Sequence, residues 1–382
     1  MKSFALAFLS SLSFVAALDS GTMQSHLSKG AELLGTYKAS SANTTNWMST
    51  IDDATLIQNM NIPGTHDSLT WNVPALTSPF TQTQELSLFD QLNYGARFVD
   101  LRIGLLDNKI RMYHSSYLLD ETAELEDIFW GMYYWLDQNP TETVLVSVKV
   151  DNGNNTAALQ QQVYTLMNSP DVADYWVHNF TLPTLGESRH KLIPILRLGL
   201  SSANIPDYQP FGINVGKGWL DNKASFFLTY VVDTDGNPRQ KLYVEDLYNP
   251  DGSDQKDGVN KKMNAITDHL TRAANAGPSQ TDSWYIAFAS GYNGITTTPK
   301  QFALGSTLPQ KVAGVNQRML SYLVQTRGNY YGVIVYDFIG MDQRLISATL
   351  GWETSGAFMN WAVSYRLCMG AVFAVMALLH TL

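Results

Sequence analysis

Met60-Asn61-Ile62-Pro63-Gly64-Thr65-His66-Asp67-Ser68 passes abruptly from strand to loop at its Pro-Gly step. Glu85 to Tyr94 then reads as a helix and Ala96 to Ile103 as the next strand. The pattern continues outward from this unit. Arg111 to His114 is a short strand ending in a loop, Thr122 to Asn139 has helical spacing and stops at Pro140, and Thr143 to Val150 is strongly β-like. Further strands are expected at Lys191 to Leu198, Phe226 to Val232, Lys241 to Val244, Trp284 to Ala289 and Tyr331 to Phe338. Helices over Gln160 to Met167, Val259 to Ala274 and Val312 to Gln325 fit between them. Buried strands joined by crossover helices predict a mainly parallel sheet. The preferred form is an α/β fold of the irregular or distorted TIM-type (β/α) barrel, in one domain over 47–355. The open doubly wound alternative lacks a glycine-rich dinucleotide fingerprint.

The chain has 382 residues, enough for one large barrel, and carries a formal charge of -9 from 34 acidic and 25 basic residues. Such a field repels polyphosphate and offers no broad footprint for DNA or RNA, so any phosphate must be held by a few local cations. Residues 1–17 have the form of a secretory signal: Lys2, an apolar run from Phe4 to Leu12, and small residues at Ala16-Ala17. A polar entry segment is expected over 18–46. Asn43, Asn154 and Asn179 sit in acceptor triplets for N-glycosylation, which together with the leader favour secretion through a eukaryotic pathway. The single cysteine, Cys368, cannot form an intrachain disulfide. Residues 356–382 form an apolar tail that fits a glycolipid-anchor signal, a packed terminal helix or a membrane-contacting helix.

Barrels present their chemistry at the C-terminal ends of strands. His66, Arg102, His114, Lys149, Arg197, Asp246 and Asp337 all fall at or just beyond such ends. Two histidines on opposite sides of a phosphoryl centre can divide acid–base work, one taking a proton from an attacking hydroxyl while the other gives one to the leaving oxygen. Strand alternation puts Asp100 and Arg102 on one face, where a guanidinium can bind phosphate oxygens; a plain ion pair is the structural alternative. Asp67 is placed to orient Arg102, and Asp337 to orient His66. Lys149, Arg197, Asp246 and Tyr248 are the candidate substrate side, with polar groups for a polyol and a ring for a sugar's apolar face. No HExxH or clustered histidine spacing supports zinc. Calcium is kept open by Asp67, Asp100, Glu121 and Glu142, against the cations Arg102 and Lys149 that already supply positive charge.

At these residues the chain resembles the bacterial-type phosphatidylinositol-specific phospholipase C family, including its fungal secreted members. Asn61 to Ser68 and Phe98-Val99-Asp100-Leu101-Arg102 carry the resemblance, with Met112-Tyr113-His114, Glu142 to Lys149 and Val335-Tyr336-Asp337 in order behind them. The resemblance implies a metal-independent phosphodiesterase (diacylglycerol-lyase) that releases diacylglycerol and inositol 1,2-cyclic phosphate from phosphatidylinositol at a membrane surface; glycosylated forms of that lipid are a further candidate substrate, whose larger head groups need space the sequence does not display. It implies that His66 is the base, His114 the acid, Arg102 the phosphate ligand linked to Asp67, and Asp337 the support of His66. Arg197, Asp246 and Tyr248 would contact inositol. In the related calcium-dependent enzymes acidic ligands occupy the positions matched by Arg102 and Lys149, so no cofactor is expected. Val150 departs from the second lysine often found there in bacterial members, and the match is weakest over Leu200 to Gln240. Trp71, Phe80, Trp130, Tyr133 and Trp219 are available to meet a bilayer, though packing is the commoner role for such rings. The competing readings are a calcium-assisted or other phosphodiesterase of the same barrel type and a non-catalytic inositol-lipid or glycan-binding protein.

Overall fold

The computed structural model describes residues 19–353, apart from 75–76, 233 and 309. Its strands are β1 (Ile62–Thr65), β2 (Phe98–Leu106), β3 (Lys109–His114), β4 (Tyr117–Leu118), β5 (Thr143–Asn152), β6 (Lys191–Leu196), β7 (Ile213–Asn214), β8 (Lys223–Val232), β9 (Pro238–Asp246), β10 (Ser283–Phe288), β11 (Gly305–Ser306), β12 (Val312–Ala313) and β13 (Val333–Tyr336). The helices are α1 (Ser20–Lys29), α2 (Ala31–Leu34), α3 (Ser78–Thr81), α4 (Leu88–Tyr94), α5 (Leu125–Gln138), α6 (Ala157–Asn168), α7 (Leu185–Ser188), α8 (Gln255–Ala276), α9 (Pro299–Leu304), α10 (Val315–Gln325) and α11 (Arg344–Thr349). The leader read at 1–17 and the apolar tail at 356–382 lie outside the described residues.

Nine strands join in the order β7-β6-β5-β2-β1-β13-β10-β9-β8. Neighbours along that path are parallel except β8 with β9. Among the described residues β7 and β8 end the path without pairing, so the distorted TIM-type barrel is nearly closed rather than complete. Two stretches read as barrel strands are arranged differently, for the same reason. Asp107 and Asn108, both at positive φ (50° and 59°), turn the chain back so that β3 lies antiparallel on β2 as an arm outside the barrel path. The short connection from Val232 to Pro238 likewise permits only an antiparallel return, because a parallel crossover takes about a dozen residues or more.

Alternation along the strands divides the core. On β2, Val99, Leu101 and Ile103 face the helical layer with Val144, Val146 and Val148 of β5, against α5 and α6. Phe98, Leu145, Ile193, Ile195, Leu242, Val244, Ile286, Phe288, Val333, Val335 and Ile62 fill the barrel interior. Gly64, two residues beyond Ile62 on the same face, leaves room for Phe98, whose side chain and carbonyl would lie 2.7 Å and 2.8 Å from any Cβ there. Within the segment read as an entry, α1 docks on α5: His26 stacks on Trp130 at 4.7 Å, and its Nδ1 lies 2.7 Å from Asp127.

One interior histidine makes stability depend on pH. His269 of α8 is 1% exposed, and neither ring nitrogen has a hydrogen-bond partner among the described residues. Burial, helped by Arg272 and Lys262, pushes its pKa from 6.5 down to about 3. The unfolded chain therefore binds the extra proton between those values, so this contribution is complete above pH 6.5 and lost as pH falls through that window. Between pH 7 and pH 5 the loss is expected to be about 2 kcal/mol. Urea unfolding of wild type and His269→Phe across that range is the check: the variant is expected to show the shallower decline.

Candidate active site

Inward alternation that is apolar at the floor of the barrel becomes polar at its mouth. His66 continues β1 beyond Gly64, Asp100 and Arg102 continue β2 beyond Phe98, and Ser147 and Lys149 continue β5 beyond Leu145. Arg197, Asp246 and Asp337 extend the inward rows of β6, β9 and β13 in the same way. Of these, His66, Arg102, Lys149, Arg197, Asp246 and Asp337 line one cleft of about 900 Å³ with Asp67, His114, Asp151, Trp219, Asp221 and Tyr248. Arg102 and Lys149 stand within their strands, directly paired across β2 and β5, rather than at strand ends as expected. His114 ends β3, which the hairpin brings back over the mouth.

His66 is held from both sides. Nδ1 lies 2.8 Å from Asp337 Oδ1, and Nε2 lies 2.9 Å from Arg102 Nη2. A guanidinium can only donate, so the neutral ring presents its Nε2 lone pair to the cleft and its Nδ1–H to Asp337. Burial alone would lower the pKa of His66, but Asp67 and Asp337 outweigh it and raise the value. His114 Nδ1 meets the Thr81 carbonyl at 2.8 Å, leaving its Nε2 towards the cleft. Asp67, at φ 41°, turns its carboxylate between the imidazoles: Oδ2 is 3.4 Å from His66 Nε2 and 3.3 Å from His114 Nε2. Oδ1 is 2.7 Å from Arg102 Nε, and both oxygens lack a well-aligned hydrogen bond among the described residues, so these contacts are ionic.

Arg102 also contacts Asp100 at 2.9 Å and Asp151 at 3.3 Å. Although burial opposes charge, Arg102 and Arg197 hold the Asp100 carboxyl well below the usual range. Burial, with Arg102 and Arg197 beside it, lowers the Lys149 pKa, and Lys149 Nζ rests 3.0 Å from Asp151. Arg197 lies 3.9 Å over the Trp219 ring, which in turn donates to Asp246 at 2.9 Å. Arg197 Nη1 is buried without a hydrogen-bond partner among the described residues, its nearest carboxylate being Asp100 at 3.6 Å. The Tyr248 hydroxyl donates to Asp221 at 2.8 Å while its ring stacks on Tyr292.

Asp151, Trp219 and Asp221 were not singled out as site residues from the sequence. Asp151 was within reach, since it stands two residues beyond Lys149 on the same strand face; Trp219 and Asp221 come from a loop without periodicity. Of the calcium candidates, Glu142 pairs with Arg97 at 2.7 Å below the first residues of β2 and β5, and Glu121 is exposed outside the cleft. His66, Asp67 and Asp100 do offer ligand-type atoms within 4.8 Å of one another. The Arg102 guanidinium contacts all three, so this donor set already holds its cation and a divalent ion would meet a fixed positive charge there. Asn43, Asn154 and Asn179 are exposed. Among the aromatics considered for a bilayer, Trp130 and Tyr133 are buried in the core, Trp71 donates to the Leu33 carbonyl, Trp219 lines the cleft, and Phe80 is 59% exposed at its rim.

Two imidazoles facing one carboxylate, beside an arginine at the mouth of a barrel, define an acid–base enzyme for phosphodiesters. The PI-PLC X family model (PI-PLC X 1) matches residues 57–180. The chain is 29% identical over 185 residues to a 1-phosphatidylinositol phosphodiesterase of Listeria monocytogenes, covering 46% of this chain and 56% of that protein. It is 27% identical over 277 residues to the enzyme of the same description from Staphylococcus aureus, covering 70% and 82%. A solved point mutant of the Staphylococcus aureus phosphatidylinositol-specific phospholipase C superposes with a TM-score of 0.66 at 23% identity, covering 82% of this chain and 98% of that one. The chain is thus similar, through residues 57–180 and the longer alignments around them, to bacterial-type PI-PLC X proteins, and its site is that of an enzyme of the phosphoric diester hydrolase class.

Proposed function

We propose that this protein cleaves phosphatidylinositol by metal-independent acid–base catalysis, giving diacylglycerol and inositol 1,2-cyclic phosphate. The observation that carries the reading is the convergence of His66 Nε2 and His114 Nε2 on one oxygen of Asp67, with Arg102 alongside. His66 takes the proton of the inositol 2-hydroxyl as that oxygen attacks phosphorus, and Asp337 stabilises the imidazolium formed. Arg102 binds the phosphoryl oxygens as charge gathers on them. His114 gives its proton to the diacylglycerol oxygen as the P–O bond breaks, with Asp67 standing 3.3 Å from its Nε2 and orienting Arg102. Arg197, Asp246, Lys149 and Tyr248 surround the inositol, and Asp151, Trp219 and Asp221 hold those groups in place.

The site works at a membrane surface, and exposed Phe80, Tyr292 and Ile295 around the mouth provide apolar contact with lipid. No helix among the described residues is long and apolar enough to cross a membrane. The protein acts outside the cell as a fungal-type secreted member of its family, a reading supported by the leader pattern at 1–17 and by three glycosylation triplets whose asparagines are exposed.

Phosphorus NMR of the protein with phosphatidylinositol micelles in excess EDTA tests the activity. Inositol 1,2-cyclic phosphate is the expected product, and turnover only after added calcium would overturn the metal-independent mechanism. Asp246→Ala is expected to raise KM by about tenfold or more with a smaller change in kcat, because a buried polar contact to the head group is lost. Unchanged KM would remove Asp246 from the inositol site.

A further inference from the structure

We infer that Gln84 is a positioning residue for the base, acting through the pair His66–Asp337; the inference rests on the role proposed for His66. Gln84 is fully buried in the loop between α3 and α4. Its amide nitrogen donates to the His66 carbonyl at 2.8 Å and to the Tyr336 carbonyl at 2.8 Å. An amide has two N–H groups, so each carbonyl receives one. Tyr336 ends β13 and immediately precedes Asp337, while His66 follows the last residue of β1. Gln84 therefore ties together the two backbone points from which the base and its carboxylate project.

The tie is needed because the sheet runs out there. Thr65 and Tyr336 form the last register pair of β1 and β13, and the His66 N–H still reaches the Tyr336 carbonyl at 3.0 Å. Beyond that point the strands diverge: Asp67 adopts φ 41° and Phe338 φ 50°. The His66 carbonyl, turned away from the ladder, is satisfied by Gln84 and by the Thr83 hydroxyl at 3.1 Å. On the other side the Phe338 N–H donates to the Thr83 carbonyl at 2.7 Å. Residues 83–84 thus replace the missing ladder, and the 2.8 Å contact between His66 Nδ1 and Asp337 Oδ1 depends on backbones that they hold. The charged groups facing His66 are Asp67, Asp337 and Arg102, with Asp100 close behind them. Loosening the Asp337 side removes support for the imidazolium, which lowers the pKa of His66 and brings it out of line with the attacking hydroxyl.

The test uses Gln84→Met, which keeps length and removes both donors, with a water-soluble inositol phosphodiester whose leaving alcohol needs little acid assistance. kcat is expected to fall roughly tenfold to a hundredfold, KM to stay within about twofold, and the acid limb of kcat/KM to move to lower pH. NMR titration of the His66 ring should show the same downward shift, and it reads folded molecules only. In an Asp337→Ala background the Gln84→Met loss should shrink to less than about threefold, because the pair through which it acts is already gone. Gln84→Asn, an amide of shorter reach, supplies folded protein if Gln84→Met does not accumulate. An unmoved His66 titration, or equal losses in both backgrounds, overturns the inference. A wild-type enzyme silent on phosphatidylinositol and on the soluble diester overturns the proposed function instead, and the His66 titration still decides the role of Gln84 in holding the pair.

Discussion

His66→Ala is expected to lower kcat by roughly 10²–10⁴-fold, the usual contribution of a positioned general base, with little change in the thermal midpoint. The ring is a minor packing element, in edge contact with Phe288 at 6.3 Å, and its strand neighbours keep their register without it. Its chemical role has no substitute within reach. Arg102 is charged at all working pH values and cannot accept the proton, while Asp67 Oδ1 is already in contact with that guanidinium. The two histidines separate by substrate. Replacing the diacylglycerol with a good leaving alcohol should recover most of the activity of His114→Ala and almost none of that of His66→Ala, because only acid assistance becomes dispensable. Parallel kinetics on both substrates would decide this, and equal recovery in the two variants would refute the division of labour. In wild type the acid limb of kcat/KM should fall above the ordinary histidine value of 6.5, since the base must be neutral to work and the flanking carboxylates raise its pKa.

Arg102→Lys should cost roughly 10²–10³-fold in kcat although the charge is kept. One planar fork currently meets His66, Asp67, Asp100 and Asp151 while facing the cleft. An ammonium can satisfy some of these partners only by leaving others, and it cannot present two parallel donors to a phosphoryl group. The change should also weaken the fold by a few kcal/mol, because buried Asp67 and Asp100 lose part of their compensation. Measuring urea unfolding beside kcat on the soluble diester separates these effects. A stable variant with near-normal turnover would show that Arg102 only balances its neighbours' charge.

The barrel strands β5, β6, β10 and β13 were legible in the sequence because each is an apolar run buried on both faces over most of its length, bounded by turns. Thr143–Asn152 and Lys191–Leu196 stand close to their expected bounds. The inward row that carries Asp100 and Arg102 followed from alternation alone. The antiparallel settings of β3 and β8 went unread, since periodicity gives a strand's faces and not its partner; turn geometry at Asp107-Asn108 and connection length decided those.

The same division runs through the site. Local pattern put His66, Arg197, Asp246 and Asp337 at or just beyond strand ends and set Asp100 and Arg102 on one inward face. Only the closing of the sheet determined that His114, on an arm outside the barrel path, faces His66 across Asp67. Only it placed Trp219 under Arg197, and Gln84 across the carbonyls of His66 and Tyr336. Strand face is a property of consecutive residues and is written into their spacing. Contacts between loops far apart in sequence depend on where every strand between them ends, and that is settled only when the core packs.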